Sequence, residues 1–393
     1  MKKQIQFLPG SYASIIIYYV ALAVEFPWHS LNLLPGDHIQ VTRCIRKLKD
    51  ESYIIVHEKG AIRSIKLTKK ALPILDKVCD GLYDYYMFNS ENHTFRGTLH
   101  GDKATLIQNL SRKHRLGEIY CMCRMIDCRL LFNEKQRLVI DKRVEIDESL
   151  DTPIFYNSRE LKKIDEEQMH KTEFSRLMGL IVSRGGYYNV YSVNNGRFKW
   201  HQYGEGKAKV LTEDVINANF SAQFPAAYGA RADNAIMFAS SFDAAAVILN
   251  NEYNVKDSRG FEFLSFDNTY PNVYLLPVDV YGALQLKMIT SEDYHNRMMK
   301  CIFNEPMDPI LNIDCDKYKD GKYILCMFDG NIGRLKRFVM SLYNIGANNA
   351  KVICFPWQTD TIRTIVGVGV SIETVDINSF AKDFFAISER GSI

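Results

Sequence analysis

The chain has 393 residues, 47% of them hydrophobic and 24% charged. This balance excludes a mainly disordered protein, and the length is enough for two or three domains. A net charge of +3 is too small for overall basicity to announce a nucleic-acid partner, but the charge is unevenly placed. Residues 38–70 hold nine Lys/Arg against three Asp/Glu, and residues 103–143 hold ten against four, which leaves −9 for the remainder. A basic first third joined to an acidic remainder implies a division of labour. The nine cysteines are odd in number and scattered, which suits a reduced, cytoplasmic protein better than a disulfide scaffold.

Lys2 and Lys3 precede an apolar run, Tyr12 to Val24, that mimics a secretory signal. The run is too short to span a bilayer, and residues 11–26 read instead as a buried helix stopped by Pro27. A short second helix follows over Ser30–Leu34, then a Pro35-Gly36 turn. Asp37 is placed to cap a third helix over residues 38–51. Ile39, Val41, Cys44, Ile45 and Leu48 read as its apolar face, with Gln40, Arg43, Arg46, Lys47 and Lys49 on the others. "YIIVHEKGAIRSIKL" reads as two strands around a Lys59-Gly60 turn. Thr68 can cap the helix that follows, with Pro73 near its first turn.

Helix, helix, helix, hairpin is the order of a winged helix-turn-helix, in which the third helix enters the major groove. On that reading Gln40, Thr42, Arg43 and Arg46 meet base edges, while Lys47, Lys49, Lys59, Arg63 and Lys66 contact phosphates of double-stranded DNA. The bland alternatives are a protein-interaction module and a solvated basic face. The local charge of +6 favours DNA.

Residues 102–131 form a further helical block with a basic knot, Arg112, Lys113, His114 and Arg115. Cys121, Cys123 and Cys128 are the one close cysteine group, but C-x-C within a helix faces apart, so they read as buried thiols and no metal site is assigned. The polar stretch at 135–152 marks a domain boundary. The expected domains are a winged helix over 1–90, a helical connector over 91–150, and an α/β domain over 151–393.

That last part alternates strand and helix, which argues a mixed, largely parallel α/β sheet with helices on its faces. "RLMGLIVSRGGYYNVYSVNNGRFKW" reads as a three-stranded meander. "FDGNIG" (Phe328 to Gly333) follows a strand and opens a helix, but it matches no phosphate-loop pattern and reads as a tight turn. Glu205 and Lys207 have the E-x-K spacing of metal-dependent nucleases, with Asp233 as a carboxylate that could converge, and Asp267 and Asp279 as further candidates. Magnesium would be required only under that alternative; otherwise no cofactor is implied. The His and Tyr residues show no nicking-enzyme pattern.

The segments "IKLTKKAL", "SRKHRLGEIYCMCRMI", "SRLMGLIVSRGGYYNVYSVNNGRFKW" and "ILCMFDGNIGRLKRFVMSLYNIGANNAKVICFPWQTDTIRTI" together resemble the replication-relaxation-like proteins of Gram-positive plasmids and integrative conjugative elements. The resemblance implies a winged-helix DNA-binding module fused to an α/β domain of restriction-endonuclease-like or Rossmann-like type. It implies a DNA-binding accessory protein of a mobile genetic element, acting in plasmid replication or conjugative mobilisation beside a relaxase or replication protein. The α/β domain would then assemble with such a partner or with a second copy of the chain. No catalytic residue set is carried over. The competing readings are a divalent-metal nuclease and a ligand-responsive transcriptional regulator.

Overall fold

The structure is a computed structural model, and its described residues are 5–59, 62–90, 103–140, 149–164, 175–193, 202–224, 232–249, 269–305 and 313–390. The protein is mixed α/β, with several sheets, some of them parallel. It divides into two compact units, Met1–Arg137 and Leu138–Ile393. Among the described residues no helix is long and apolar enough to cross a membrane.

The first unit is built around α1 (Tyr12–Ala23). The Ser11 hydroxyl caps it by accepting the Ser14 N–H at 3.3 Å. The helix is apolar on nearly all sides, and most of it is buried. It ends at Val24, which adopts a positive φ of 62°, before Pro27 is reached. Glu25–Pro27 then form a short strand, β1. A 3-10 turn over Trp28–Leu33 stands where a second helix was expected.

α2 (His38–Asp50) begins where Asp37 predicts. Its carboxylate accepts the Ile39 and Gln40 N–H groups at 2.7 and 3.0 Å. β2 (Ile54–Lys59) and β3 (Ile62–Leu67) pair antiparallel, and β1 pairs with the other edge of β3. The expected Lys59-Gly60 turn falls partly outside the described residues.

Thr68 does not cap a helix. Its hydroxyl donates to the Ser52 carbonyl at 2.6 Å, which fastens the chain leaving α2. A 3-10 turn over Lys69–Ile74 leads into α3 (Leu75–Val78) and α4 (Leu82–Ser90). Pro73 lies inside that turn, so the long helix expected here is broken into three pieces.

The helix expected in a connector is α5 (Lys103–Met125), and it packs on α1 and β1 inside the first unit. Gly117 permits the approach: a Cβ there would lie 3.1 Å from the Ala23 Cβ and 3.3 Å from the Pro27 Cδ. Cys121, Cys123 and Cys128 are buried free thiols, and burial pushes the first two well above the usual thiol range.

The second unit contains two sheets where a single sheet was expected. One has the order β4-β5-β6-β7-β8, formed by Ile154–Asn157, Gly179–Ser183, Gly186–Ser192, Asn234–Ala239 and Asn272–Pro277. Its first three strands are antiparallel and its last three parallel. The other has the order β12-β11-β10-β9, from Val370–Thr374, Ala350–Cys354, Lys322–Cys326 and Lys317–Lys319, with β9 antiparallel. The third strand expected after Asn194-Asn195-Gly196 lies largely outside the described residues, which resume in helix at Gln202. The helices between strands are α6 (Ser158–Lys162), α7 (Gln202–Asn219), α8 (Ala244–Leu249), α9 (Val280–Ile289), α10 (Tyr294–Phe303), α11 (Ile332–Ile345), α12 (Thr359–Val366) and α13 (Ile377–Arg390).

The "FDGNIG" turn joins these sheets. Gly330, at φ 67°, accepts the Leu275 N–H at 2.9 Å, and a Cβ on it would lie 2.6 Å from the Leu275 carbonyl oxygen. The Asn331 side chain accepts from Val273 at 3.3 Å and from Arg334 at 3.1 Å. The turn is therefore a structural stitch to β8.

Beside it, Arg334 donates to Asp316 at 2.8 Å and to Asp314 at 3.1 Å. The Asp316 carboxylate is fully buried and also accepts the Cys326 N–H at 2.6 Å. Removing one partner of such a pair leaves an uncompensated buried charge. Arg334→Ala is expected to destabilise the second unit by about 3–5 kcal/mol in urea denaturation. A loss below about 1 kcal/mol would mean that the pair behaves as a surface contact and does not hold this corner.

Candidate nucleic-acid interface

Val41, Ile45 and Leu48 form the buried side of α2. With 3.6 residues per turn, Ile39, Arg43 and Arg46 then share one stripe on the opposite side, flanked by Gln40 and Lys47. All five are exposed. Ile39, expected on the apolar face, is corrected by this geometry: its side chain is 60% exposed. Thr42 is half-buried, and its hydroxyl donates back to the His38 carbonyl at 2.9 Å, which leaves it poorly placed to donate to a base. Lys47 and Lys49 occupy the last turn, where a cation also complements the helix dipole. Among the described residues, Gln40, Arg43, Arg46, Lys47, Lys49 and Lys66 make no side-chain hydrogen bond or ion pair.

The hairpin is held by a buried carboxylate. Glu25 Oε1 accepts from the Ser64 hydroxyl at 2.7 Å and meets the His57 Nδ1 at 3.0 Å, so β1 is tied to both β2 and β3. Burial would raise this carboxyl, but the His57 and Ser64 hydrogen bonds, with the charge of Lys113, bring it below its ordinary value. Lys66 points outward from β3, and Lys59 closes β2. Arg63 is not an idle cation. Its guanidinium lies 3.6 Å from the centre of the Trp28 ring and pairs with Glu58 at 3.0 Å. It braces the hairpin against the 3-10 turn before it can serve a phosphate.

The nuclease candidates do not form one site. Glu205 lies on α7, not on a strand, and its buried carboxylate accepts the Ser175 hydroxyl at 2.8 Å and the Arg176 N–H at 2.7 Å. Burial raises its pKa, against those hydrogen bonds. The Lys207 ammonium sits 4.2 Å from the Tyr203 ring centre. Asp233 pairs with Lys209 at 3.0 Å, a lysine that the E-x-K pattern does not single out. Asp279 caps α9 through the Tyr281 and Gly282 N–H groups, and Asp267 lies outside the described residues. Among the described residues no three His, Cys, Asp or Glu side chains are grouped to hold a metal ion.

A histidine cluster behind the hairpin is not legible in the sequence. His114, expected in a basic knot, is only 5% exposed, and its Nε2 has no hydrogen-bond partner among the described residues. His29 meets Glu118 at 3.0 Å, and the Ser30 hydroxyl donates to the same oxygen at 2.7 Å. Burial depresses His114 to about 4, against the charge of Glu25 and Glu118 and with that of His29 and Arg115. The hydrogen bond to Glu118 raises His29.

A histidine buried neutral binds its proton in the unfolded chain first, so folding weakens as pH falls from about 6.5 towards 4. At pH 5 this single group is worth at most about 2 kcal/mol. His29 acts in the opposite sense, since its raised pKa adds stability on acidification. His114→Gln is therefore expected to flatten the loss of stability between pH 7 and pH 5, read from denaturation midpoints. An unchanged slope would mean that His114 is already solvated.

Comparison with protein-family models, with curated proteins and with solved structures finds no match to this chain. The candidate interface rests on its own geometry.

Proposed function

We propose that the first unit is a winged helix-turn-helix that binds double-stranded DNA. α2 would enter the major groove, and the β2–β3 hairpin would follow the backbone as the wing. The observation that carries this reading is the outward face of α2. Arg43, Arg46 and Lys47 stand exposed there without a carboxylate partner among the described residues. Unneutralised cations on one helix face are complementary in charge to DNA phosphates and, for arginine, to the acceptor edge of guanine.

The resemblance to replication-relaxation-like proteins extends the reading. The chain would be an accessory DNA-binding protein of a mobile element, acting in replication or conjugative mobilisation beside a relaxase. The second unit would hold that partner or a second copy of the chain. No observation at Glu205, Lys207 or Asp233 favours nuclease chemistry over this.

The test is a titration of the full chain onto a 30-base-pair duplex at several salt concentrations. The Arg43→Ala, Arg46→Ala double variant is expected to bind roughly 10- to 100-fold more weakly. If both contacts are to phosphate, its salt slope falls by about 2. Both side chains are exposed, so the denaturation midpoint is expected to stay put. Equal affinity of variant and parent would remove α2 as the DNA-binding element.

A further inference from the structure

The one apolar side chain of the outward stripe of α2 stands at its N-terminal end, away from the residues that anchor the helix. Ile39 stands 60% exposed, one turn before Arg43 and two before Arg46, while the helix is anchored through Val41, Ile45 and Leu48. Other exposed aliphatics of this unit, Leu8 and Ile55, lie off this helix. An isolated exposed isoleucine is ordinary on a surface. One that begins a stripe continued by two unpaired arginines, on the face proposed to meet DNA, is placed differently. The first turn of the helix is also rigid: Asp37 caps it, and the Asp37 N–H donates to the Tyr12 hydroxyl at 3.1 Å.

We infer that Ile39 is a specificity-determining residue that packs on the C5-methyl group of thymine in the major groove. The inference rests on the DNA-binding reading and deepens it by naming what is read. Thymine alone presents a methyl group in that groove, and an apolar side chain is the complement to it. Gln40, the next residue, can form a bidentate pair with adenine, and Arg43, one turn on, with guanine. Asp50 closes the same stripe at the C-terminal end and is exposed there. Its charge repels phosphate, which disfavours close approach at the last residue of the helix. The favoured duplex therefore contains a T·A pair beside a G·C pair. Charge complementarity selects DNA over an apolar protein groove as the occupant, because the isoleucine is followed along the same face by Gln40, Arg43 and Arg46.

The experiment selects duplexes from a random library with the full chain, then replaces each thymine of the enriched duplex by deoxyuridine. Only the methyl group is lost. Uracil at one or two positions is expected to weaken binding about three- to tenfold, and Ile39→Ala is expected to abolish that difference while Ile39→Val keeps part of it. Three results would overturn the inference: equal binding of thymine and uracil duplexes, methyl sensitivity that survives in Ile39→Ala, or DNA binding that enriches no sequence. Each of these leaves the DNA-binding reading intact. Failure to bind any duplex overturns both. If Ile39→Ala leaves DNA affinity unchanged but turns a dimer into a monomer in sedimentation, the stripe is a self-contact and the inference falls.

Discussion

The burial of Val41, Ile45 and Leu48 sets the rotation of α2, and the direction of every other side chain on that helix follows from it. Each buried aliphatic contributes about 1.5–3 kcal/mol. Mutual repulsion among exposed Arg43, Arg46 and Lys47 costs a few tenths per pair. The core therefore wins, and the helix presents its cations to solvent. Both ends of the element are pinned as well. Asp37 caps the start, and Lys70 donates to the Glu51 carbonyl at 2.6 Å past the end. The backbone of this face is thus held at both ends, and what remains to be ordered on binding is its side chains.

Buried carboxylates place the remaining parts of each unit. In the first, Glu25 joins three strands through His57 and Ser64. In the second, Asp316 joins α11 to β10 through Arg334 and the Cys326 N–H. Both lose hydration on folding and recover it through several fixed donors, the arrangement in which a buried charge is tolerated. Asp329 has fewer: it accepts the Asn331 N–H at 2.9 Å, and burial raises it to about 6. Its ionised form opposes folding as pH rises through that value.

How much of this was legible depends on the range of the cause. Local chemistry could be read: the Asp37 cap, the α2 span within one residue, and the hairpin all follow from nearby residues. β1 could not, because three residues become a strand only when β3 lies alongside. Thr68 looked like a cap, but a carbonyl 16 residues away claimed its hydroxyl. Apolar type alone puts Ile39 inward, whereas the burial of Val41, Ile45 and Leu48 fixes a rotation that turns it out. The cationic neighbours of His114 suggest a basic surface, although its position on α5 turns it inward. The E-x-K spacing carries its meaning only with the element it sits on. It implies convergence only on a strand, and Glu205 lies on a helix.

Several cations outside α2 are held in ion pairs. In the second unit cations meet carboxylates: Arg334 and Arg337 with Asp314, Lys209 with Asp233, Lys317 with Glu305, and Lys351 with Glu373. Even within the first unit, Arg124 of α5 is bound to Glu134 at 2.6 Å and Arg63 to Glu58 at 3.0 Å. The cations on α2 have no such partners among the described residues. A paired cation has already exchanged part of its hydration for a carboxylate and gains little from a phosphate. An unpaired one keeps its full field and can displace the counterions held by DNA. The local excess at residues 38–70 therefore bears on function through geometry: its charges on α2 lie on one face, exposed and unopposed.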